Sequence, residues 1–189
     1  GMLTDERTLA EALRESGYFT AIFGKWHLGS WKPEHLPQSR GFEYQYGHYG
    51  AMIDYYRKAR LTGQARREGI GYQDEFPEGT YIYDWHRNGE PLIQNGYTTY
   101  LIADEVESVL DNYDSDRPFF FFVPFNAPHS PSSSNQVPPG IRGEFENNRW
   151  AQTFAMDQAI GDIIASLKRH GLYDNTLLIF LNDNGGVDT

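Results

Sequence analysis

The stretch Gly17-Tyr18-Phe19-Thr20-Ala21-Ile22-Phe23-Gly24-Lys25-Trp26-His27-Leu28-Gly29 contains the change from apolar to polar sequence that decides the fold. Residues 18–23 are aromatic and β-branched, which predicts a short strand. Lys25 and His27 follow this strand directly, between two glycines. Ligands of open α/β sheets bind where the strands end on their carboxyl side. We therefore expect Lys25 and His27 to lie in a binding crevice.

Two later segments repeat this arrangement. Residues 119–123 form a continuous apolar run, which predicts a strand buried on both faces, and His129 follows shortly after it. Residues 176–181 predict a third buried strand, and Asp183 and Asn184 come next. If the three strands are parallel neighbours, all five polar side chains converge on one crevice.

Helices are predicted between these strands. Thr4 is a candidate cap for a first helix that Gly17 stops, and Thr98 or Thr99 for a second. A third, longer helix carries Met156, Ile160, Ile163, Ile164 and Leu167 and is stopped by Gly171. This alternation of helices and strands predicts an α/β fold with a mostly parallel or mixed sheet flanked by helices.

The middle of the chain has a different pattern. Residues 30–80 show no sustained periodicity and are rich in Gly, Pro, Tyr and Arg, which predicts a long ordered loop region with short local elements. Residues 81–93 predict a β-hairpin, since Asn88-Gly89 lies between two β-prone flanks.

The composition excludes several classes of function. The 189 residues are 39% hydrophobic and contain no cysteine, so disulfide scaffolds and thiolate zinc sites are absent from them. Twenty-six acidic residues against sixteen basic ones argue against a nucleic-acid surface. No apolar run approaches the roughly 18 residues of a membrane span, so none is expected. Because the net charge is −10, an anionic substrate must be held by local cations, backbone N–H groups or a metal.

The five predicted site residues form a coherent chemical set. Lys25, His27 and His129 are cations or proton donors suited to a tetrahedral anion. Asp183 and Asn184 offer hard oxygen ligands for Ca²⁺ or Mg²⁺, although two donors are too few for calcium. We expect the other histidines to be structural or surface residues and the tryptophans to serve packing; these are His35, His48, His86, His170, Trp26, Trp31 and Trp85.

On these residues the sequence resembles the sulfatase family of the alkaline phosphatase superfamily, and most closely its arylsulfatase B-like members. Residues 17–29 are similar to the second sulfatase signature throughout their length. Residues 36–42, Asn126-Ala127-Pro128-His129 and residues 175–186 resemble further landmarks of the family, in the expected order.

This resemblance implies an alkaline phosphatase-like fold and the hydrolysis of a small-molecule or carbohydrate sulfate ester. It implies that the residues matching Lys25 and His27 hold the sulfate group and orient the nucleophile, and that His129 lies by the ester oxygen. Asp183 and Asn184 match a Ca²⁺-binding pair, which residues outside this chain complete. The implied nucleophile is a formylglycine made from a Cys/Ser-x-Pro-x-Arg motif, and this chain has no copy of that motif.

The resemblance further implies that residues 1–189 are an interior part of a catalytic domain, without the segment that carries the nucleophile and without the smaller C-terminal domain. We expect this part to be inactive by itself, to expose a sheet edge and to self-associate. A periplasmic or secreted parent protein is implied as well. Two alternatives stay open, a phosphoesterase of the same superfamily and a noncatalytic paralogue that only binds anions.

Overall fold

The computed structural model describes residues 1–68, 77–113 and 116–185. Its regular elements comprise seven strands and four α-helices within these residues. The strands are β1 (Phe19–Lys25), β2 (Tyr44–His48), β3 (Ala59–Leu61), β4 (Tyr81–Tyr83), β5 (His86–Arg87), β6 (Glu90–Pro91) and β7 (Phe119–Phe122). The helices are α1 (Leu9–Glu15), α2 (Gly63–Arg67), α3 (Thr98–Asp111) and α4 (Asn148–Arg169).

The main sheet has five strands in the order β6-β5-β2-β1-β7. β1 lies between β2 and β7 and is parallel to both, with Lys25 opposite His48 and Phe19 opposite Phe119. β5 and β6 add an antiparallel margin, and β3 pairs with β4 in a separate two-stranded sheet. The predicted mixed α/β sheet flanked by helices is therefore confirmed.

Alternation along β1 divides the core into two layers. Phe23 faces α3, where it shares a buried cluster with Ile102 and Val106. Ile22 faces the opposite side and packs with Ala10 of α1 and with Phe42. Because successive side chains of a strand point to opposite faces, one short strand anchors both helical layers.

Residues 30–80 contain the expected short local elements, but the structure corrects the description of the region as mainly loop at one point. It contains β2, which is a central strand of the main sheet, together with β3 and α2. Aromatic side chains at Tyr44 and Tyr46 alternate along β2, and the interior position beside β1 buries residues 45–48. Five residues are too few for periodicity to stand out in a Gly-rich context, so pairing with β1 decides this strand.

Both predicted helix caps are also wrong. α1 begins after Thr8, whose side chain accepts from the Glu11 N–H while Glu11 accepts from the Thr8 N–H. This reciprocal capping box satisfies two N–H groups, which Thr4 cannot do from its position. For α3 the cap position is Tyr97, which makes no side-chain cap, and Thr98 and Thr99 are buried in the first turn.

The predicted hairpin of residues 81–93 is shorter than expected. Only β5 and β6 pair around Asn88-Gly89, where both residues have positive φ. Residues 81–83 instead pair with β3, so the β-prone run serves two sheets. α4 carries the expected apolar residues, and the chain leaves it through Gly171 at φ 68°.

Of two later strand predictions, the one over residues 119–123 is confirmed as β7 but not its burial on both faces, and the one over residues 176–181 is wrong. β7 is not buried on both faces, because its residues are half-buried or exposed and Phe122 is 43% exposed. It is also an edge strand, with β1 as its one partner among the described residues. Residues 176–181, although all described, form no strand, and Leu177 is 85% exposed. An apolar run becomes a buried strand only where a neighbouring strand accepts its backbone hydrogen bonds. Gly186, the last residue of the fourth landmark, lies outside the described residues.

Candidate active site

The site is built where the backbones of β1 and β2 come into direct contact. Gly24 and Gly47 lie opposite each other, with φ of 129° and 130°. A Cβ on Gly24 would lie 2.1 Å from the carbonyl oxygen of Pro124, and one on Gly47 would lie 2.2 Å from that of Gly24. Only glycine fits at these two positions, so the ends of the strands meet without intervening side chains.

Residues 25–27 are held by their neighbours on both sides. The Lys25 N–H donates to Pro124 O at 2.8 Å, and the Trp26 N–H donates to His48 O at 2.9 Å. The Trp26 indole is buried and donates to the carbonyls of Gly29 and His35. Trp26 is therefore fixed at the carboxyl end of β1, and this also fixes the backbone of its neighbours Lys25 and His27.

His27 has a backbone conformation that side chains with a Cβ seldom adopt. Its φ is 55°, and its N–H donates to Tyr49 O at 3.1 Å, which continues the contact between the two strand ends. A non-glycine residue in this region costs roughly 1 kcal/mol or more and is retained where the surroundings enforce it. This conformation sets the direction in which the imidazole leaves the backbone.

The structure brings four of the five predicted residues together. Lys25 Nζ lies 3.3 Å from Asp183 Oδ2, and the lysine side chain is 12% exposed. Desolvation and the Lys25 ammonium lower the pKa of His27, the Asp183 carboxylate raises it, and His129 lowers it. Charges that act on one imidazole in this way lie close to it.

His129 is oriented by the loop that follows β7. Its Nδ1 lies 2.9 Å from Ser130 O, and a carbonyl can only accept, so Nδ1 carries the proton in this contact. Its backbone carbonyl accepts from the buried Tyr55 hydroxyl at 2.9 Å. The Tyr55 contact fixes the backbone of His129, and the Ser130 contact occupies Nδ1. Nε2 is then the ring nitrogen available to a ligand.

Asn184 is less integrated into this cluster. Its amide nitrogen lies 3.4 Å from Gly185 O, and Asp183 beside it is 76% exposed at the side chain. The oxygen donors of Asp183 and Asn184 suit calcium in kind, but they are two where the ion takes six to eight. Among the described residues no three His, Asp or Glu side chains are grouped to hold a metal. The residues present therefore do not form a complete calcium site.

A cleft of about 460 Å³ opens beside His27. Its walls include Trp31, Tyr49, Arg60 and Arg66. The prediction that Trp31 serves packing is wrong, since this side chain is 92% exposed, whereas Trp26 and Trp85 are buried as expected. Sequence reasoning missed this cleft because most of its lining lies on the loops around residues 29–31 and 49–51 and on the short elements β3 and α2. These segments show no periodicity that would indicate their proximity.

His48 is buried as a structural residue should be. It is 0% exposed, its ring stacks on Trp85 at 6.3 Å, and its two ring nitrogens have no hydrogen-bond partner in the described residues. Burial lowers its pKa to about 4; the Asp84 carboxylate opposes this shift, and the smaller effect of the Lys25 charge adds to it. His48 is therefore a neutral ring at neutral pH, and it lies opposite Lys25 in the pairing of β2 with β1.

Comparison with known proteins finds related sequences. The chain is 32% identical over 194 residues to arylsulfatase J of Mus musculus, with 98% of this chain and 30% of that protein covered. It is 29% identical over 195 residues to N-acetylgalactosamine-6-sulfatase of Homo sapiens, covering 99% of this chain and 34% of that protein. The chain thus spans about a third of the length of these relatives.

The fold has solved counterparts as well. The crystal structure of Ps i-CgsB in complex with k-i-k-neocarrahexaose superposes with a TM-score of 0.73 at 26% identity, covering 93% of this chain and 39% of that one. The sequence profile of the sulfatase family matches residues 2–187, nearly the whole chain and all five site residues. Because this match covers nearly the whole chain, the chain belongs to the sulfatase family.

Proposed function

We propose that this chain forms part of the catalytic domain of a sulfuric ester hydrolase that cleaves sulfate monoesters of small molecules or carbohydrates. The observation that carries the proposal is the cluster at the end of β1, where Lys25 lies 3.3 Å from Asp183 and close to two imidazoles. A net charge of −10 makes the Lys25 ammonium and the neighbouring proton donors significant, because the rest of the molecule repels an anion.

Each of these residues has a distinct proposed role. The Lys25 ammonium faces the sulfuryl oxygens and stabilises negative charge as it moves toward the leaving oxygen. His129, with Nδ1–H held by Ser130 O, presents Nε2 to the ester oxygen and in its imidazolium form donates a proton there. His27 orients the nucleophile by hydrogen bonding.

We also propose that the nucleophile and the rest of the metal shell lie outside residues 1–189. Formylglycine would supply the attacking hydroxyl, and Asp183 and Asn184 would contribute two oxygen ligands to a calcium ion that balances the charge of the sulfate. Support comes from the family membership and from the coverage of only a third of each relative. Robust turnover of an aryl sulfate by the purified 189-residue chain would contradict this placement.

The relatives bear on substrate class and location. One matched structure is a complex with a carbohydrate, and another relative is named for a sulfated amino sugar, so a carbohydrate sulfate is the proposed substrate. A periplasmic or secreted location of the parent protein is proposed from membership of the sulfatase family. Separately, none of the helices in the described residues is long and apolar enough to cross a membrane.

The test is Lys25→Ala in the full-length protein. We expect turnover of 4-methylumbelliferyl sulfate to fall by about a hundredfold or more, comparable with the loss of one transition-state donor. Lys32→Ala is the matched control, because Lys32 is exposed and pairs only loosely with Glu34, at 3.6 Å. A change of less than a few-fold at Lys25 would remove it from this role.

The same assay separates the two alternatives. Faster turnover of 4-methylumbelliferyl phosphate than of the sulfate would favour the phosphoesterase. Binding of sulfate without turnover of either ester would favour the noncatalytic paralogue.

A further inference from the structure

We propose that the cleft of Trp31, Tyr49, Arg60 and Arg66 beside His27 binds a second anionic group of the substrate, which makes the preferred substrate a saccharide bearing at least two anionic groups. The inference rests on the proposed function, because His27 is placed at the sulfate that is cleaved. It concerns residues that the proposed hydrolysis does not use.

Charge is the first argument. The chain carries 26 acidic residues, yet none of the described residues that line this cleft is acidic. Arg66 is exposed on α2, and no carboxylate among the described residues pairs with its guanidinium. An uncompensated arginine in a concave, acid-free wall of an acidic protein favours an anionic ligand.

Arg60 is fixed in the cleft by a buried carboxylate. Asp84 is 2% exposed and lies 3.1 Å from Arg60 Nε. The same carboxylate accepts from the N–H groups of Tyr49 at 2.9 Å and Gly50 at 2.8 Å. Since the Tyr49 carbonyl in turn accepts from the His27 N–H, one continuous set of contacts fixes Arg60 relative to His27. An ion pair through Nε leaves the outer edge of the guanidinium for a ligand.

The close packing at Gly50 supports the same conclusion. A Cβ at this position would lie 2.7 Å from Arg60 Cδ and 2.8 Å from Asp84 Oδ2. The absence of a side chain at Gly50 is therefore what allows the arginine to lie against the wall with its charge toward the cleft. Donors held in place before binding lose little conformational entropy when an anion arrives.

Trp31 and the size of the cleft indicate a sugar as the carrier of the anion. The indole is 92% exposed at the rim, where the C–H face of a pyranose ring can pack against it. A volume of about 460 Å³ is suited to one or two rings beyond the cleaved ester. A simple aryl sulfate would leave both arginines without a ligand.

The test is calorimetric titration of the full-length protein, with its nucleophile replaced by alanine to prevent turnover, at low salt with lactose bearing one sulfate on each ring, lactose bearing one sulfate, and unsulfated lactose. We expect the disulfated sugar to bind at least about tenfold more tightly than the monosulfated one, as charge-assisted contacts to exposed arginine allow. Arg66→Gln should abolish that preference while Arg67→Gln, an exposed neighbour outside the cleft lining, leaves it unchanged. Arg66 lies on the surface, so its variant does not threaten folding.

The outcomes separate this inference from the proposed function. If Lys25→Ala weakens binding of all sulfated sugars but Arg66→Gln changes nothing, the sulfate site stands and the second-anion site is overturned. If Arg66→Gln removes the preference and Lys25→Ala has no effect, the cleft is supported and the placement of the cleaved sulfate at Lys25 fails. Equal affinity for the mono- and disulfated sugars, or no binding of either, overturns the inference.

Discussion

The burial of His48 at the end of β2 can be tested through the pH dependence of folding stability. The ring is completely buried, and burial is the main reason that its pKa falls from the ordinary 6.5 to about 4. The unfolded chain therefore takes up a proton as the pH drops below 6.5, whereas the folded chain does not until about pH 4. Folding stability should be lost progressively across that range.

The magnitude follows from the two pKa values. Between pH 7.5 and pH 5 the linkage at His48 should remove about 2 kcal/mol of the free energy of unfolding. The titration of Asp84 lies outside this pH interval. Burial raises its pKa, but hydrogen bonds from His86, Tyr49 and Gly50 outweigh burial and lower the pKa to about 2, so the contribution of Asp84 is lost only in stronger acid.

The assay is urea unfolding, followed by tryptophan fluorescence, at pH 7.5, 6 and 5. Between pH 7.5 and pH 5 the free energy of unfolding of His48→Leu should fall by about 2 kcal/mol less than that of the unsubstituted chain, because the other titrating groups are common to both. His48→Gln, a polar but uncharged replacement, should behave similarly and controls for the packing of leucine. Equal losses in all three proteins would refute the placement of a neutral buried imidazole opposite Lys25.

Two further predictions concern packing and association. Gly24→Ala should destabilise the fold by at least about 3 kcal/mol, since its Cβ would lie 2.1 Å from Pro124 O. Gly161→Ala on α4, with no atom within 4 Å of its Cβ, should stabilise the fold by about 0.5 to 1 kcal/mol. Equal urea midpoints for the two variants would contradict this prediction. We also expect the chain to self-associate, because β7 is an open edge and Ile179 and Phe180 are each 70% exposed. A monomer by light scattering at high concentration would argue against that.

The site residues were predictable where strand and motif are contiguous in sequence. Lys25 is the last residue of β1 and His27 lies two residues beyond it, so local pattern alone placed them at a strand end. The relation between Lys25 and Asp183 spans 158 residues, and the expected third strand that was to deliver Asp183 does not form. Lys25 and Asp183 are nevertheless in contact. An irregular segment, and not the predicted strand, brings Asp183 to Lys25.

The cleft residues were not predictable in the same way. Arg60 and Arg66 lie in a segment without periodicity, and their relation to His27 depends on Asp84, which is 24 residues further along the chain than Arg60. Trp31 follows a polar loop, and nothing local distinguishes an exposed indole from a packed one. Burial is a property of what the rest of the chain places around a residue.

Sequence alone determined the α/β class, the existence of the strand predicted over residues 18–23, the tight turn at Asn88-Gly89 and the chemical kinds of group in the site, since these depend on neighbouring residues and on side-chain chemistry. Tertiary structure alone decided that β2 is a central strand, that residues 176–181 remain unpaired, and that two arginines face one acid-free cleft. Strand pairing, burial and convergence of charge all depend on which distant segments become neighbours. Those contacts lower the free energy only once the whole sheet is assembled.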